Sequence, residues 1–203
     1  MSDTTRSYNE NAEAYERRWA AYLRHTHTTF IERLDFSENG HLLDLSCGTG
    51  LLARELLNSG KKFEHLTLND PAEKMLDIAR KRLSSHPDIS FANSPAHRLP
   101  FESNSFDAIC SLNAFHNYRY QNTVIFEIRR LLKSGGTVFL QDWNRSGFFR
   151  PVNTIIRHWV PEHIDTRSPE EAKRMLEAHG LLVEKEETWN YRYWKFFFMQ
   201  ALC

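Results

Sequence analysis

The chain has 203 residues, 41% of them hydrophobic and 26% charged, which suits one domain with its own core and excludes a disordered chain. Its 26 Lys and Arg offset 26 Asp and Glu, so the basic excess of a dedicated nucleic-acid binder is absent. No apolar run is long enough to span a membrane, the polar start Met1-Ser-Asp-Thr-Thr-Arg has no secretory core, and the three scattered cysteines (Cys47, Cys110, Cys203) point to a reducing cytoplasm.

Tyr8, Ala12, Tyr15, Trp19, Tyr22 and Leu23 recur at spacings of three and four, which predicts an amphipathic helix. A second helical piece runs to Leu34, and Asn39-Gly40 breaks it. The apolar run His41 to Leu45 reads as a buried strand. Gly50 to Leu57 reads as a helix, Phe63 to Leu68 as a strand, and Pro71 to Leu83 as a helix with Pro71 at its first position. Ile89 to Ala92 and Phe106 to Leu112 are further strands, Thr123 to Leu132 a helix, and Thr137 to Gln141 a fifth strand. This alternation predicts an α/β fold, Rossmann-like and doubly wound, with a mostly parallel sheet. Ser168-Pro-Glu-Glu caps a last helix that runs to His179 and Gly180. Leu181 to Glu187 and Arg192 to Leu202 are too close for a helical crossover, so they should form an antiparallel edge hairpin and complete seven strands.

Open α/β sheets bind ligands at the carboxyl ends of their strands. The first strand ends in Asp44-Leu-Ser-Cys-Gly-Thr-Gly50 and runs into a helix. Gly48 and Gly50 permit a tight turn and close approach of backbone to ligand, and the helix start offers unpaired N–H groups. The second strand ends in Asn69-Asp70, and an acid there suits ribose hydroxyls. The turn is neither a P-loop nor the G-x-G-x-x-G of a dinucleotide fold, which disfavours a nicotinamide-dependent oxidoreductase and favours a single-nucleoside ligand.

Four motifs then resemble one family in order and spacing. Leu42-Leu-Asp-Leu-Ser-Cys-Gly-Thr-Gly50, Asn69-Asp-Pro-Ala-Glu-Lys-Met-Leu76 with Ala79-Arg80, Leu99-Pro-Phe-Glu-Ser-Asn-Ser-Phe-Asp107 and Arg130-Leu-Leu-Lys-Ser-Gly-Gly136 resemble those of the class I S-adenosylmethionine-dependent methyltransferases of type 11. The resemblance implies S-adenosyl-L-methionine as cofactor, S-adenosyl-L-homocysteine as product and a small-molecule methyl acceptor. It implies that Asp44, Ser46, Cys47, Gly48 and Gly50 line the methionine and ribose, and that Asp70 accepts from the ribose hydroxyls. Pro71 and Met75 would border the adenine, Ser94, Pro95 and Ala96 would lie along its edge, and Asn113 would approach the methionine amino group. Two positions depart from the pattern. Ser46 replaces a glycine, and Pro95 stands where an acid usually reads the adenine amino group. The second departure keeps a degenerate, non-catalytic cofactor-binding module as the alternative, with Asn93 or Ser94 as substitute partners.

The layout expected is an N-terminal lid over residues 1–36, a cofactor-binding core over 41–142, a short substrate cap over 145–167 and a C-terminal helix and hairpin over 168–203. Tyr8, Tyr15 and Trp19 share the lid's inner face, and Tyr8 to Tyr15 resembles the family's helical entry over the cofactor. His116, after the fourth strand, is the first candidate for a base and Asp142 the second, with His158 and His163 also near the acceptor. Phe148, Phe149, Ile155, Ile156 and Trp159 would give the cap an apolar and aromatic character suited to an apolar or aromatic small molecule. The ten histidines, His25-Thr-His27 included, form no ligand spacing, so no metal is expected.

Overall fold

In a computed structural model, residues 2–146 and 162–203 are described. Chain order runs α1 (Asp3–Arg33), β1 (His41–Asp44), α2 (Leu51–Ser59), β2 (His65–Asn69), α3 (Glu73–Leu83), β3 (Ile89–Ala92) and β4 (Phe106–Leu112). A 3-10 turn (Phe115–Asn117) leads to α4 (Gln121–Leu131) and β5 (Leu132–Trp143). Among the residues from 162 onward come α5 (Pro169–Glu177), β6 (Leu182–Tyr191) and β7 (Trp194–Leu202). The seven strands form one sheet in the order β3-β2-β1-β4-β5-β7-β6, and only β7 and β6 add antiparallel pairings. This is the doubly wound sheet the sequence predicts.

Strand β1 shows why both faces are covered. Successive strand residues point to opposite faces, yet Leu42 and Leu43 are both fully buried. Leu42 joins a core with Phe30, Leu56, Leu66 and Leu76, and Leu43 joins one with Ile109, Ile125, Leu140 and Phe197 on the other side. A continuous apolar run instead of an alternating one is the mark of such a strand. Each of these leucines contributes roughly 1.5–3 kcal/mol by leaving water.

Several expected boundaries move, for local reasons. Helix α1 starts earlier than expected, at Asp3, where Ser2 caps it by accepting the Thr5 N–H at 3.1 Å, and it consists of two helical pieces, as expected, joined across a kink at Trp19 (φ −110°, ψ 15°). Pro71 is not the first residue of α3. The Asp70 carboxylate takes the Ala72 N–H at 2.8 Å and the helix starts at Glu73. Strand β5 already starts at Leu132 and continues to Trp143. The hairpin turn is shorter than expected, because pairing persists to Tyr191 and Trp194 and leaves only Arg192, at φ 55°, and Tyr193. Helix α5 carries the expected capping box, Ser168 with Glu171. Among the described residues no helix is long and apolar enough to cross a membrane, and no cluster of three metal-ligating side chains occurs.

Candidate functional site

The carboxyl ends of β1, β2, β4 and β5 lie side by side in the middle of the sheet, and α1 packs against α2, α3 and β4. Asp44 ends β1 with 2% exposure, and its Oδ2 has no hydrogen-bond partner among the described residues. Burial, with the nearby Asp70 charge adding, pushes this carboxyl up to about 7, against one backbone hydrogen bond from Ser46. Asp70 follows β2. Its Oδ2 accepts the Gly48 N–H at 2.9 Å and its Oδ1 the Ala72 N–H, so the acid of the second strand ties down the turn after the first. Burial pushes it up to about 6, and the two N–H donors oppose the rise.

The two turn glycines differ in purpose. Gly48 has φ +53°, and a Cβ there would meet nothing within 4 Å, so its backbone borders open space. Gly50 has φ +76°, and a Cβ would lie 3.0 Å from the Ala79 Cβ and 3.1 Å from the Leu83 Cδ1. One glycine borders open space and the other lets α2 press against α3. Ser46 is not among the positive-φ residues, so its Cβ brings no backbone strain, and its hydroxyl lies 2.9 Å from the Tyr118 hydroxyl. Cys47 is buried, and its N–H donates to the Asn69 carbonyl at 2.9 Å.

Asn69 is a clamp that sequence reading passed over. Its amide donates to the Leu45 and Ser94 carbonyls, both at 3.0 Å, and accepts the Ser94 N–H at 3.1 Å. This fully buried side chain joins the β1 and β2 tips to the loop after β3. Within that loop Ala96 is buried and Pro95 exposed, with the Pro95 carbonyl taken by the Arg98 N–H at 2.9 Å. Asn93 donates to the Asp70 carbonyl at 2.8 Å, which holds its side chain beside the acid. Met75 is 1% exposed and packs with Ala12, Ala72, Tyr8 and Tyr15, at the contact between α1 and α3.

On the other flank, Asn113 leaves β4 at φ 53° while its N–H donates to the Gln141 carbonyl at 2.8 Å. Both polar atoms of its side chain are buried without a partner among the described residues. Three residues on, His116 Nδ1 lies 2.5 Å from Asp142 Oδ1, so the two candidate bases form one pair. The His116 ring stacks on Trp143 at 4.0 Å and 11°, and the Trp143 indole donates to the Tyr22 hydroxyl at 2.7 Å. Asn117 donates to the Tyr8 hydroxyl at 3.1 Å, and the Tyr8 and Tyr15 rings meet edge to face at 5.9 Å. Burial pushes the Tyr8 phenol up to about 12 against that hydrogen bond, and the charges of Glu162, Asp70 and Asp142 add to the rise. Tyr8 thus lies within electrostatic reach of the acids on both flanks.

Asp44, Ser46, Gly48, Asp70, Asn113, His116 and Tyr8 are therefore drawn to one end of the sheet. Trp19 instead marks the bend in α1 and meets Tyr22 at 6.0 Å. Phe148, Phe149, Ile155, Ile156, His158 and Trp159 lie outside the described residues. His163 directs its N–H to the Thr4 hydroxyl at 2.9 Å, and Glu162 accepts from Ser7 at 2.6 Å, which ties the end of that segment to α1. Buried polar atoms normally have partners, so Asp44 Oδ2 and the Asn113 amide mark a place for a polar ligand. A carboxylate and a carboxamide fit the ammonium and hydroxyl groups of an amino-acid nucleoside.

Residues 43–140 match the model of a methyltransferase domain family. A Thermotoga maritima protein named demethylmenaquinone methyltransferase is 37% identical over 124 residues, covering 59% of this chain and 52% of that protein. The ubiquinone/menaquinone biosynthesis C-methyltransferase UbiE of Bartonella quintana is 36% identical over 101 residues, covering 48% and 39%. The aligned part of the chain thus spans about half or less of these relatives. Among solved structures, one from a complex of the Haloferax volcanii Trm112 methyltransferase activator with a methyltransferase superposes with a TM-score of 0.84 at 19% identity, over 96% of both chains. The YcgJ protein of Bacillus subtilis superposes with a TM-score of 0.76 at 18% identity, over 88% of this chain and 98% of that one. At those identities the two structures establish the shared fold.

Proposed function

We propose that the chain is a member of the methyltransferase domain family whose model residues 43–140 match, and that it transfers a methyl group from S-adenosylmethionine to a small molecule. The observation that carries this reading is the pair of unpartnered buried groups, Asp44 Oδ2 and the Asn113 amide, flanking a glycine turn that Asp70 holds. When bound, the cofactor supplies an electrophilic methyl on a sulfonium, so the protein's task is to bind, orient and exclude water.

Asp70 receives the ribose hydroxyls, with charge-assisted hydrogen bonds worth roughly 1.5–3 kcal/mol. Asp44, Cys47 and the turn from Ser46 to Gly50 line the methionine and ribose, with Gly48 keeping the backbone close. Asn113 takes the methionine amino group. Pro71, Met75, Ser94, Pro95 and Ala96 border the adenine, and Asn93, fixed on the Asp70 carbonyl, serves in place of the missing acid. Tyr8 and Tyr15 close over this assembly from α1. Helices of this kind shield a reaction from water, which matters where hydrolysis competes.

The acceptor is read as apolar or aromatic. Support comes from the aromatic wall of Tyr8, Tyr22 and Trp143 near His116, and from relatives named for quinone biosynthesis. A degenerate binding module is the weaker reading, because both acids and both turn glycines are present. Incubation with methyl-labelled S-adenosylmethionine and a panel of small aromatic and aliphatic acceptors tests the proposal. Labelled product together with S-adenosylhomocysteine is expected. Cofactor binding without turnover on any acceptor would favour the module instead.

A further inference from the structure

The Asp142 carboxylate is fully committed to one task. Its Oδ2 accepts the His116 backbone N–H at 2.9 Å, and its Oδ1 accepts the Trp143 backbone N–H at 2.5 Å while facing His116 Nδ1 at 2.5 Å. A carboxylate set against Nδ1 keeps the proton on that nitrogen and leaves the lone pair on Nε2. Among the described residues Nε2 has no hydrogen-bond partner. The side chains of the pair are 5% and 2% exposed, so water is largely kept from them.

The ring is also fixed in plane. It stacks on Trp143, which is itself held by its hydrogen bond to Tyr22 and by stacking on Trp194 at 4.8 Å. A histidine that only filled space would not need its carboxylate, its ring plane and its backbone fixed together. Its position is equally specific. Asn113, with its unpartnered amide, precedes it by three residues, and Asn117 next to it holds the Tyr8 hydroxyl.

We propose that His116 and Asp142 act as one general-base pair, and that the acceptor is a phenol-class molecule whose hydroxyl gives its proton to His116 Nε2. This rests on the methyl-transfer reading. In the step, the O–H proton passes to Nε2 and the freed electron pair attacks the methyl carbon, through the oxygen or through a conjugated ring carbon. The carbon–sulfur bond breaks and its pair stays on sulfur as a thioether. Attack through carbon leaves a ring proton to be lost when aromaticity returns. Phenols ionise near pH 10 and give up a proton readily to an imidazole, whereas aliphatic hydroxyls, near water's value of about 16, do so only in concert with attack; the aromatic Trp143 and Tyr22 beside His116 favour the phenol. A neutral amine attacks without prior deprotonation, so it has no need of such a pair. His116 touches the reacting proton, and Asp142 is the positioning residue that sets its tautomer.

Two measurements test this together. In the first, histidine labelled with 15N is read by NMR in the cofactor-free protein. The expected His116 signal is the Nδ1–H tautomer with a bare Nε2, lost or scrambled in Asp142→Asn; an Nε2–H tautomer in the wild type overturns the proposal. In the second, wild type and His116→Ala receive phenols of graded acidity, from 4-methylphenol to 4-nitrophenol, with ethanolamine and a simple alkanol as controls. The variant is expected to lose 10²–10⁴-fold on 4-methylphenol but less than tenfold on the already ionised 4-nitrophenol. Equal losses across the series, or turnover of the amine alone, overturn it. Calorimetry of S-adenosylhomocysteine binding runs beside both. It shows that each variant still folds its site, and failure of the wild type to bind would sink the methyl-transfer reading while the tautomer result stands separately.

Discussion

Replacing Asp44 by asparagine should stabilise the cofactor-free protein at neutral pH while weakening its cofactor binding. The folded state holds the Asp44 carboxyl up at about 7, against an ordinary 3.8, chiefly because the group is buried. Between those values the folded chain binds a proton that the unfolded chain has released, so this acid's contribution to stability is full below about pH 4 and is lost as pH rises through 7. At about 1.4 kcal/mol for each pH unit across that interval, the loss is on the order of 4 kcal/mol. Asparagine cannot ionise, so it escapes this loss, although its amide hydrogens enter a site without acceptors at a cost of about 1–3 kcal/mol at every pH. Denaturant unfolding of both proteins at pH 4.5, 6 and 8 is the assay. The variant should gain on the wild type by several kcal/mol between the first and last pH. Parallel stability curves would contradict this expectation, because they would mean that Asp44 ionises as it does in water.

Other consequences follow from the same site. Cofactor affinity should rise as pH climbs from 5 to 8, because a cationic ligand selects ionised Asp44 and Asp70, which are held up at about 7 and about 6; calorimetry in buffers of different ionisation heat should detect the released protons. Gly50→Ala combines left-handed strain with a Cβ 3.0 Å from the Ala79 Cβ and should lower stability by roughly 2–5 kcal/mol. Gly48→Ala adds only the strain, roughly 1–2 kcal/mol, yet should damage cofactor binding more than Gly50→Ala damages it per unit of stability lost. Thermal unfolding and calorimetry on the two variants separate these effects. Pro95→Asp restores an acid at the adenine edge and should tighten cofactor binding severalfold, which a titration reads directly.

The parts of the fold that are local in sequence are legible in it. The run Leu42-Leu43 predicts a strand covered on both faces, and the glycine turn with Asp70 predicts where the ligand binds, because each depends on residues within a few positions. Helix ends move by two or more residues where a side chain intervenes, as Asp70 does ahead of α3 and Ser2 ahead of α1. Long-range pairings are not legible. His116 and Asp142 are 26 residues apart and meet only because β4 and β5 are parallel neighbours with Leu112 opposite Gln141. A register is a property of the assembled sheet, so the sequence presents these two residues as rival bases when they are partners. Tyr118 at Ser46 and Tyr22 at Trp143 are hidden for the same reason. Asn69 was visible at the strand tip, but its three-way clamp depends on where the loop after β3 returns.

On the proposed function, a nucleoside cofactor binds at the carboxyl ends of β1 and β2 with Asp70 on its ribose. The direct measurement is a calorimetric titration of S-adenosylhomocysteine into wild type and Asp70→Ala, with circular dichroism as the check on folding. Saturable binding by the wild type and at least tenfold weaker binding by a folded variant is the predicted result. Equal dissociation constants for the two proteins, or no binding by the wild type, would contradict it.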